Sequence, residues 1–175
     1  MHKMLAAAAA LSLACTTHAA DKVKVGFIST LSGPSAALGV DIRDAFQLAV
    51  KLSGGKLGGL PAEVLVGDDQ FKPEVGRQLA EKYVKLDKVD FLTGIVFTNV
   101  MLAVAPAAFD AKTFLVSANA TPSAISGEGC SPWFFSTSWQ NDGAHEAAGK
   151  VMQDRGFKNA LLIAPNYPAG KDALT

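Results

Sequence analysis

VKVGFISTLSGPSAALG, residues 23–39, decides how the chain folds. Val23, Val25 and Phe27 are apolar at alternate positions and Ile28 continues the run, which is the pattern of a buried strand. Ser32, Gly33, Pro34 and Ser35 break it with turn chemistry, and a helix opens behind them. A strand that leads through a small-residue loop into a helix N-terminus gathers backbone amides and hydroxyls at the carboxyl edge of a parallel sheet. That edge is where such sheets hold ligands. Ser32 and Ser35 are therefore candidate ligand contacts.

The same unit recurs downstream. Ile42, Ala45, Phe46, Ala49 and Val50 are spaced as the inner face of a helix, which ends in Gly54, Gly55, Gly58 and Gly59. Pro61 then leads into a second strand that stops at Asp68 and Asp69. Pro73 sets the first turn of the next helix, with Val75, Leu79, Tyr83 and Leu86 as its inward stripe. A third strand over residues 90–96 leads to a nearly all-apolar helix over residues 98–109, capped by Thr98 or Asn99 and kinked or restarted at Pro106. A fourth strand, 113–117, runs into a loop of small and turn residues over 118–132, and a short strand lies within 133–139. Asn141 or Asp142 caps a further helix that turns Ala144, Ala147, Ala148, Val151 and Met152 inward and stops at Gly156. Residues 160–164 read as one more strand, and 166–170 as a loop opening another helix.

This alternation predicts an α/β fold, a parallel sheet flanked by helices on both faces. The last strand would be an edge with little beside it, so the sequence reads as truncated. With 175 residues, 49% of them hydrophobic, there is apolar surface enough for the core of an ordinary domain. The 16 basic and 16 acidic residues balance and are scattered, so no phosphate-neutralising face exists and nucleic acid is excluded as a partner.

The N-terminus reads as a secretory signal peptide over residues 1–20. His2 and Lys3 precede an apolar run over 4–15, and Thr17-His18-Ala19 is a small-x-small cleavage site, so the exported chain begins at Ala20 or Asp21. The run is too short to span a membrane, and Ser12 stands where a lipidation motif around Cys15 needs Leu. Cleavage leaves Cys130 as the one cysteine of a chain in an oxidising compartment. Its partner lies outside this sequence or it is a buried spectator, and the first reading is favoured.

Enzyme motifs fail one by one. No Gly-x-Gly-x-x-Gly lies between Gly26 and Gly39, so Asp68 and Asp69 read as strand-end caps instead of ribose ligands. Lys56 is followed by Leu57, which removes a P-loop. The stretch from Gly33 lacks the second glycine of a nucleophile elbow. His145-Glu146 has Gly149 where a zinc protease needs its second histidine, so His145 reads as a solvated helix residue. No catalytic residue, metal or cofactor is expected. What remains is a convergence at the carboxyl edge: Ser32 and Ser35, then Thr98 and Asn99, then Ser117, Asn119, Ala120 and Thr121. Such groups without a catalytic partner suit recognition of a small polar or anionic group, although each of the Ser, Thr and Asn residues also has a reading as a cap or turn residue.

Five stretches carry a resemblance: VKVGFISTLSGPSAALG, TGIVFTNV (93–100), VSANATPS (116–123), CSPWFFSTSWQND (130–142) and APNYPAGKDAL (164–174). In this order, behind a signal peptide, they resemble the periplasmic substrate-binding proteins of ABC importers, in the branched-chain amino-acid group of type I binding proteins. FTNV, SANA and NYPAGKDAL are most similar to the branch that captures aromatic acids. The resemblance implies the type I periplasmic binding protein fold, with an N-terminal lobe over residues 21–138 and the start of a second lobe over 139–175. It implies a ligand carboxylate held by the Thr98 hydroxyl and by the loop of Asn119, Ala120 and Thr121. Thr98 stands where relatives carry Ser, and Asn119 where amino-acid binders carry Ala, which puts an amino-acid ligand in doubt. Ala169 replaces the usual aromatic residue of the second lobe, with Tyr167 two positions earlier, a change that would widen the pocket. The implied function is capture of a small carboxylate, an aromatic acid first and a branched-chain amino acid next, by a monomeric subunit that delivers it to importer permease subunits. A ligand-sensing domain of the same fold is the alternative, and fold alone does not separate them.

Overall fold

The computed structural model of the protein describes residues 21–174, so the expected signal peptide lies outside the described residues. Strand β1 (Val23–Ser29) is the hub. Val25, Phe27 and Ile28 are fully covered, as a strand with neighbours on both sides and helices on both faces must be. It pairs in parallel with β3 (Leu60–Asp68) on one side and β4 (Phe91–Thr93) on the other. β5 (Phe114–Ser117) and β6 (Phe134–Ser136) extend the sheet beyond β4, and β2 (Lys56–Leu57) borders β3. The order is β2-β3-β1-β4-β5-β6, with only the β2 and β3 pair antiparallel. The chain leaves β1 in one direction and comes back across it in the other. The loops after β1 and β4 therefore diverge at that switch point.

Helices α2 (Pro73–Lys82) and α3 (Thr98–Asp110) cover one face, where Ala80, Val84, Val100, Met101 and Val104 pack with Ile28, Leu92 and Leu115. Helix α1 (Ala36–Leu52) covers the other, with the Phe46 ring 5.5 Å from Phe27. It approaches β1 so closely at Gly39 that a Cβ there would lie 2.0 Å from the Thr30 carbonyl oxygen. Glycine is required for the helix to start where it does.

Several expectations are corrected. On α1 the inner stripe follows Gly39 through Ile42, Arg43, Phe46 and Val50, and Ala45 and Ala49 face solvent. The helix is rotated to bring Gly39 against the strand. Leu86 is 75% exposed instead of inward, because α2 runs into a π turn over Tyr83–Asp87. The wider turn shifts the register, and Val84 is buried with Tyr83. The glycines after α1 build a hairpin: Gly58 and Gly59, with φ of 57° and 86°, turn β2 back onto β3. Phe97, not Thr98 or Asn99, is the N-cap of α3, and no side chain caps it. Pro106 sits inside an unbroken α3, held by the burial of Val104, Ala105 and Ala108 around it.

Within the small-residue loop one turn of helix forms, α4 (Ser123–Ser126). Helix α5 (Gly143–Asp154) starts after Asp142 as read, yet Ala144, Ala147, Ala148 and Val151 are exposed and only Met152 is half-buried. Residues 160–164 form no strand, and Leu161 and Ile163 are 85% and 87% exposed. Both departures have one cause: among the described residues no sheet lies under α5 and no strand pairs with 160–164. The last described element, α6 (Pro168–Asp172), has Tyr167 as its N-cap, with Gly170 buried so close to Pro165 that a Cβ would lie 1.8 Å from its carbonyl oxygen. Among the described residues no helix is long and apolar enough to cross a membrane.

Candidate ligand-binding cleft

The loops at the carboxyl edge are fixed by their own polar groups. After β1, the Thr30 hydroxyl donates to Asp69 Oδ1 at 2.5 Å and the Leu31 N–H to Asp68 Oδ1 at 2.9 Å. The N–H groups of Gln70 and Phe71 donate to the same two oxygens, so the acidic pair caps the turn after β3 and ties it to the loop after β1. Burial raises the pKa of Asp68, but the Ser32 hydroxyl and the N–H groups of Leu31, Gln70 and Ser32 outweigh it and hold the carboxyl below its ordinary value. Burial dominates at Asp69, whose pKa is pushed up and whose Oδ2 has no hydrogen-bond partner. Ser32 is thus engaged with Asp68, and Ser35 occupies the N-cap of α1 without a capping bond.

The loops after β4 and β5 are joined to each other. Asn119 Nδ2 donates to the Val96 carbonyl at 2.8 Å and the Ala120 N–H to Ile95 at 3.3 Å. Ser117 turns its hydroxyl onto the Ala120 carbonyl at 2.5 Å, and Ala120 itself lies in the core. Thr121 and Ser136 share a hydroxyl hydrogen bond of 2.6 Å. Thr98, in the first turn of α3, is 2% exposed, and its Oγ1 accepts from Asn141 Nδ2 at 3.0 Å. Asn99 is half-buried, with an Oδ1 that has no hydrogen-bond partner.

Against this edge the chain from Trp139 onward closes a cleft of about 270 Å³. Asn119, Trp139, Asn141, His145, Tyr167 and Ala169 are on its walls. Of the residues singled out in the sequence, Asn119, Tyr167 and Ala169 line it directly, and Thr98 stands one hydrogen bond behind it through Asn141. Thr121 holds the Asn141 N–H through its carbonyl at 3.0 Å. Ser32, Ser35, Ser117 and Ala120 do not line it. Burial, then the nearby Asp172, pushes the Tyr167 phenol above its ordinary pKa, so it stays a neutral donor.

Asn141 and His145 were not read as site residues, and Asp172 was not singled out at all. The signal for Asn141 lay in its place two residues after Trp139, but a helix cap accounted for it equally well. Asp172 reaches Asn141 across 31 residues of chain, a contact that no local pattern encodes.

Among the described residues that line the cleft there is no Lys or Arg. A carboxylate placed here would be held by hydroxyl, side-chain amide and backbone N–H donors, which suffices where water is excluded. Trp139 and Tyr167 bring aromatic rings to the walls of the cleft.

A parallel sheet thus presents uncharged donors at its carboxyl edge to a small concave cleft, the kind of place where small molecules are held. The chain belongs to the periplasmic binding protein family, whose model matches residues 22–175. It is 32% identical over 170 residues to Leu/Ile/Val-binding protein homolog 6 of Brucella abortus, a match that covers 97% of this chain and 43% of that protein. It is 27% identical to the Leu/Ile/Val-binding protein BraC3 of Rhizobium johnstonii over 97% of this chain and 46% of that one. The chain thus spans less than half the length of these relatives. Among solved structures, it is similar to a solute-binding protein of an ABC transporter from Rhodopseudomonas palustris in complex with benzoate, with a TM-score of 0.81 and 31% identity over 87% of this chain and 42% of that one. A second such protein from R. palustris, in complex with 4-hydroxybenzoate, gives a TM-score of 0.79 and 32% identity over 88% and 42%. The α/β architecture is that of the type I periplasmic binding fold.

Proposed function

We propose that the protein is an extracytoplasmic solute-binding subunit of an ABC importer that captures a small aromatic carboxylate, with branched-chain amino acids as second choice. The observation that carries this is a cleft lined by Trp139 and Tyr167, free of Lys and Arg among its described residues, and backed by the buried Thr98 hydroxyl. An aromatic acid needs donors at one end and flat apolar walls at the other; an amino acid needs, in addition, an anion for its ammonium group. Two relatives of about one-third identity hold benzoate and 4-hydroxybenzoate. In this reading residues 1–20 are removed on export, residues 21–138 form one lobe and residues 139–175 begin a second. The protein works as a monomer, without cofactor, and hands its ligand to permease subunits.

A thermal-shift panel on the full gene product tests the ligand class. A ligand at a hundred times its dissociation constant adds about 2.7 kcal/mol of stability, so benzoate or a hydroxybenzoate should raise the melting temperature by several degrees. Shifts with leucine or valine and none with aromatic acids would reverse the order.

A further inference from the structure

Asn141 is joined to three separate elements. Its backbone N–H donates to the Thr121 carbonyl after β5 at 3.0 Å. Its side-chain amide nitrogen donates to Thr98 Oγ1 on α3 at 3.0 Å and to Asp172 Oδ2 on α6 at 2.8 Å. A side-chain amide nitrogen carries two protons, and both are used. Asp172 Oδ2 also accepts from the Ser123 N–H at 3.3 Å, so α4 is drawn into the same junction.

The consequence falls on Thr98. A hydroxyl has one proton to give, and an oxygen that accepts from Asn141 does not point its own proton back along that bond. The proton is left for a different acceptor, beside the free N–H groups of the first turn of α3. We infer that Asn141 is a positioning residue of the cleft: by donating to Thr98 and Asp172 at once it leaves the Thr98 hydroxyl proton available to a bound carboxylate and ties α3 to α6. The orienting role rests on the proposed anion-binding function; the tie between helices does not.

The test exchanges donor and acceptor in the full gene product, read by benzoate titration calorimetry and urea unfolding. Asn141→Ala removes the bridge and leaves the Thr98 proton free. Asn141→Asp puts a carboxylate where the amide was, so that Thr98 turns to donate to it and Asp172 faces a like charge. The double variant Asn141→Asp with Asp172→Asn restores a hydrogen bond between positions 141 and 172 but still captures the Thr98 proton. The expected result is loss of urea midpoint in Asn141→Asp and its recovery in the double variant, with benzoate affinity still down by about tenfold or more. Asn141→Ala should bind benzoate better than either. Affinity that recovers together with stability in the double variant would reduce Asn141 to a structural strut and overturn its orienting role. A midpoint that does not recover would overturn the tie between α3 and α6. If the wild type takes up neither benzoate nor leucine, the anion-binding function and the orienting role fall together, and the urea midpoints still decide the tie.

Discussion

The Thr30 hydroxyl and Asp69 Oδ1 lie 2.5 Å apart with both residues fully buried, and the second oxygen of that carboxylate has no partner. Such a group is an acceptor the fold needs but a charge it disfavours. Burial raises the Asp69 pKa in the folded state above 3.8, against the opposing effect of the Thr30 and Phe71 donors. The sign follows from linkage: folding binds the proton more tightly than the unfolded chain does. Its contribution is therefore fully present below the unfolded pKa and is lost as pH rises through the folded value. Asp69→Asn keeps an acceptor for Thr30 and Phe71 and does not titrate. Urea midpoints measured from about pH 3 to about pH 7 should show the variant gaining on the wild type as pH rises. A gain for the wild type over the same range would mean that the ionised carboxylate is the stabilising form.

Gly39→Ala should be costly out of proportion to one methyl group. The added carbon meets backbone, the Thr30 carbonyl at 2.0 Å, and backbone does not swing aside as a side-chain tip does. Overpacking of this kind costs about 1–3 kcal/mol, and the shift of α1 drags the loop after β1 with it. Urea unfolding checks the first effect. An unchanged midpoint would show that α1 slides freely along the sheet.

Thr98 is a helical residue with Phe97 as the cap, so Thr98→Val leaves the start of α3 intact and removes only the hydroxyl. Losing a hydrogen bond to a charged ligand is worth about 1.5–3 kcal/mol, or roughly a ten- to more than hundredfold loss of carboxylate affinity. Stability should fall by about 1 kcal/mol, because the Asn141 amide loses an acceptor. Thr98→Ser should restore both. Calorimetry that finds Val and Ser variants binding alike would remove the hydroxyl from recognition.

Val84 and Leu86 test the π turn. Val84 is 6% exposed and Leu86 75%, the reverse of what helical spacing from Leu79 and Tyr83 dictates. Val84→Ala should destabilise by about 1–3 kcal/mol and Leu86→Ala by less than about 0.5 kcal/mol. Equal urea midpoints for the two variants would restore a regular helix to this segment.

The parallel sheet was legible because its signal is local. Alternation in residues 23–28 and turn chemistry after them are properties of neighbouring residues, and so are Pro73 at a helix start and the small-residue loop after β5. Misreadings arose where geometry depends on what a segment meets. The rotation of α1 is set by Gly39 against Thr30, the exposure of Leu86 by one π turn, and the unpaired state of residues 160–164 by the lack of a neighbouring strand among the described residues. The site divided in the same way. Asn119 and Tyr167 were visible in motifs, whereas Asn141 and Asp172 acquire their roles only when α6 folds back on α3, beyond the range of any sequence window.

The short hairpin at the sheet border has a consequence for colloidal behaviour. β2 is two residues long and offers an incoming strand little edge of its own. The vulnerable tract is instead Ala-Leu-Leu-Ile-Ala at 160–164, apolar, uncharged and open to solvent wherever no other strand covers it. Turbidity in concentrated samples would trace to that tract and leave the sheet intact, and one charged side chain in place of Leu161 would be enough to keep the molecules apart.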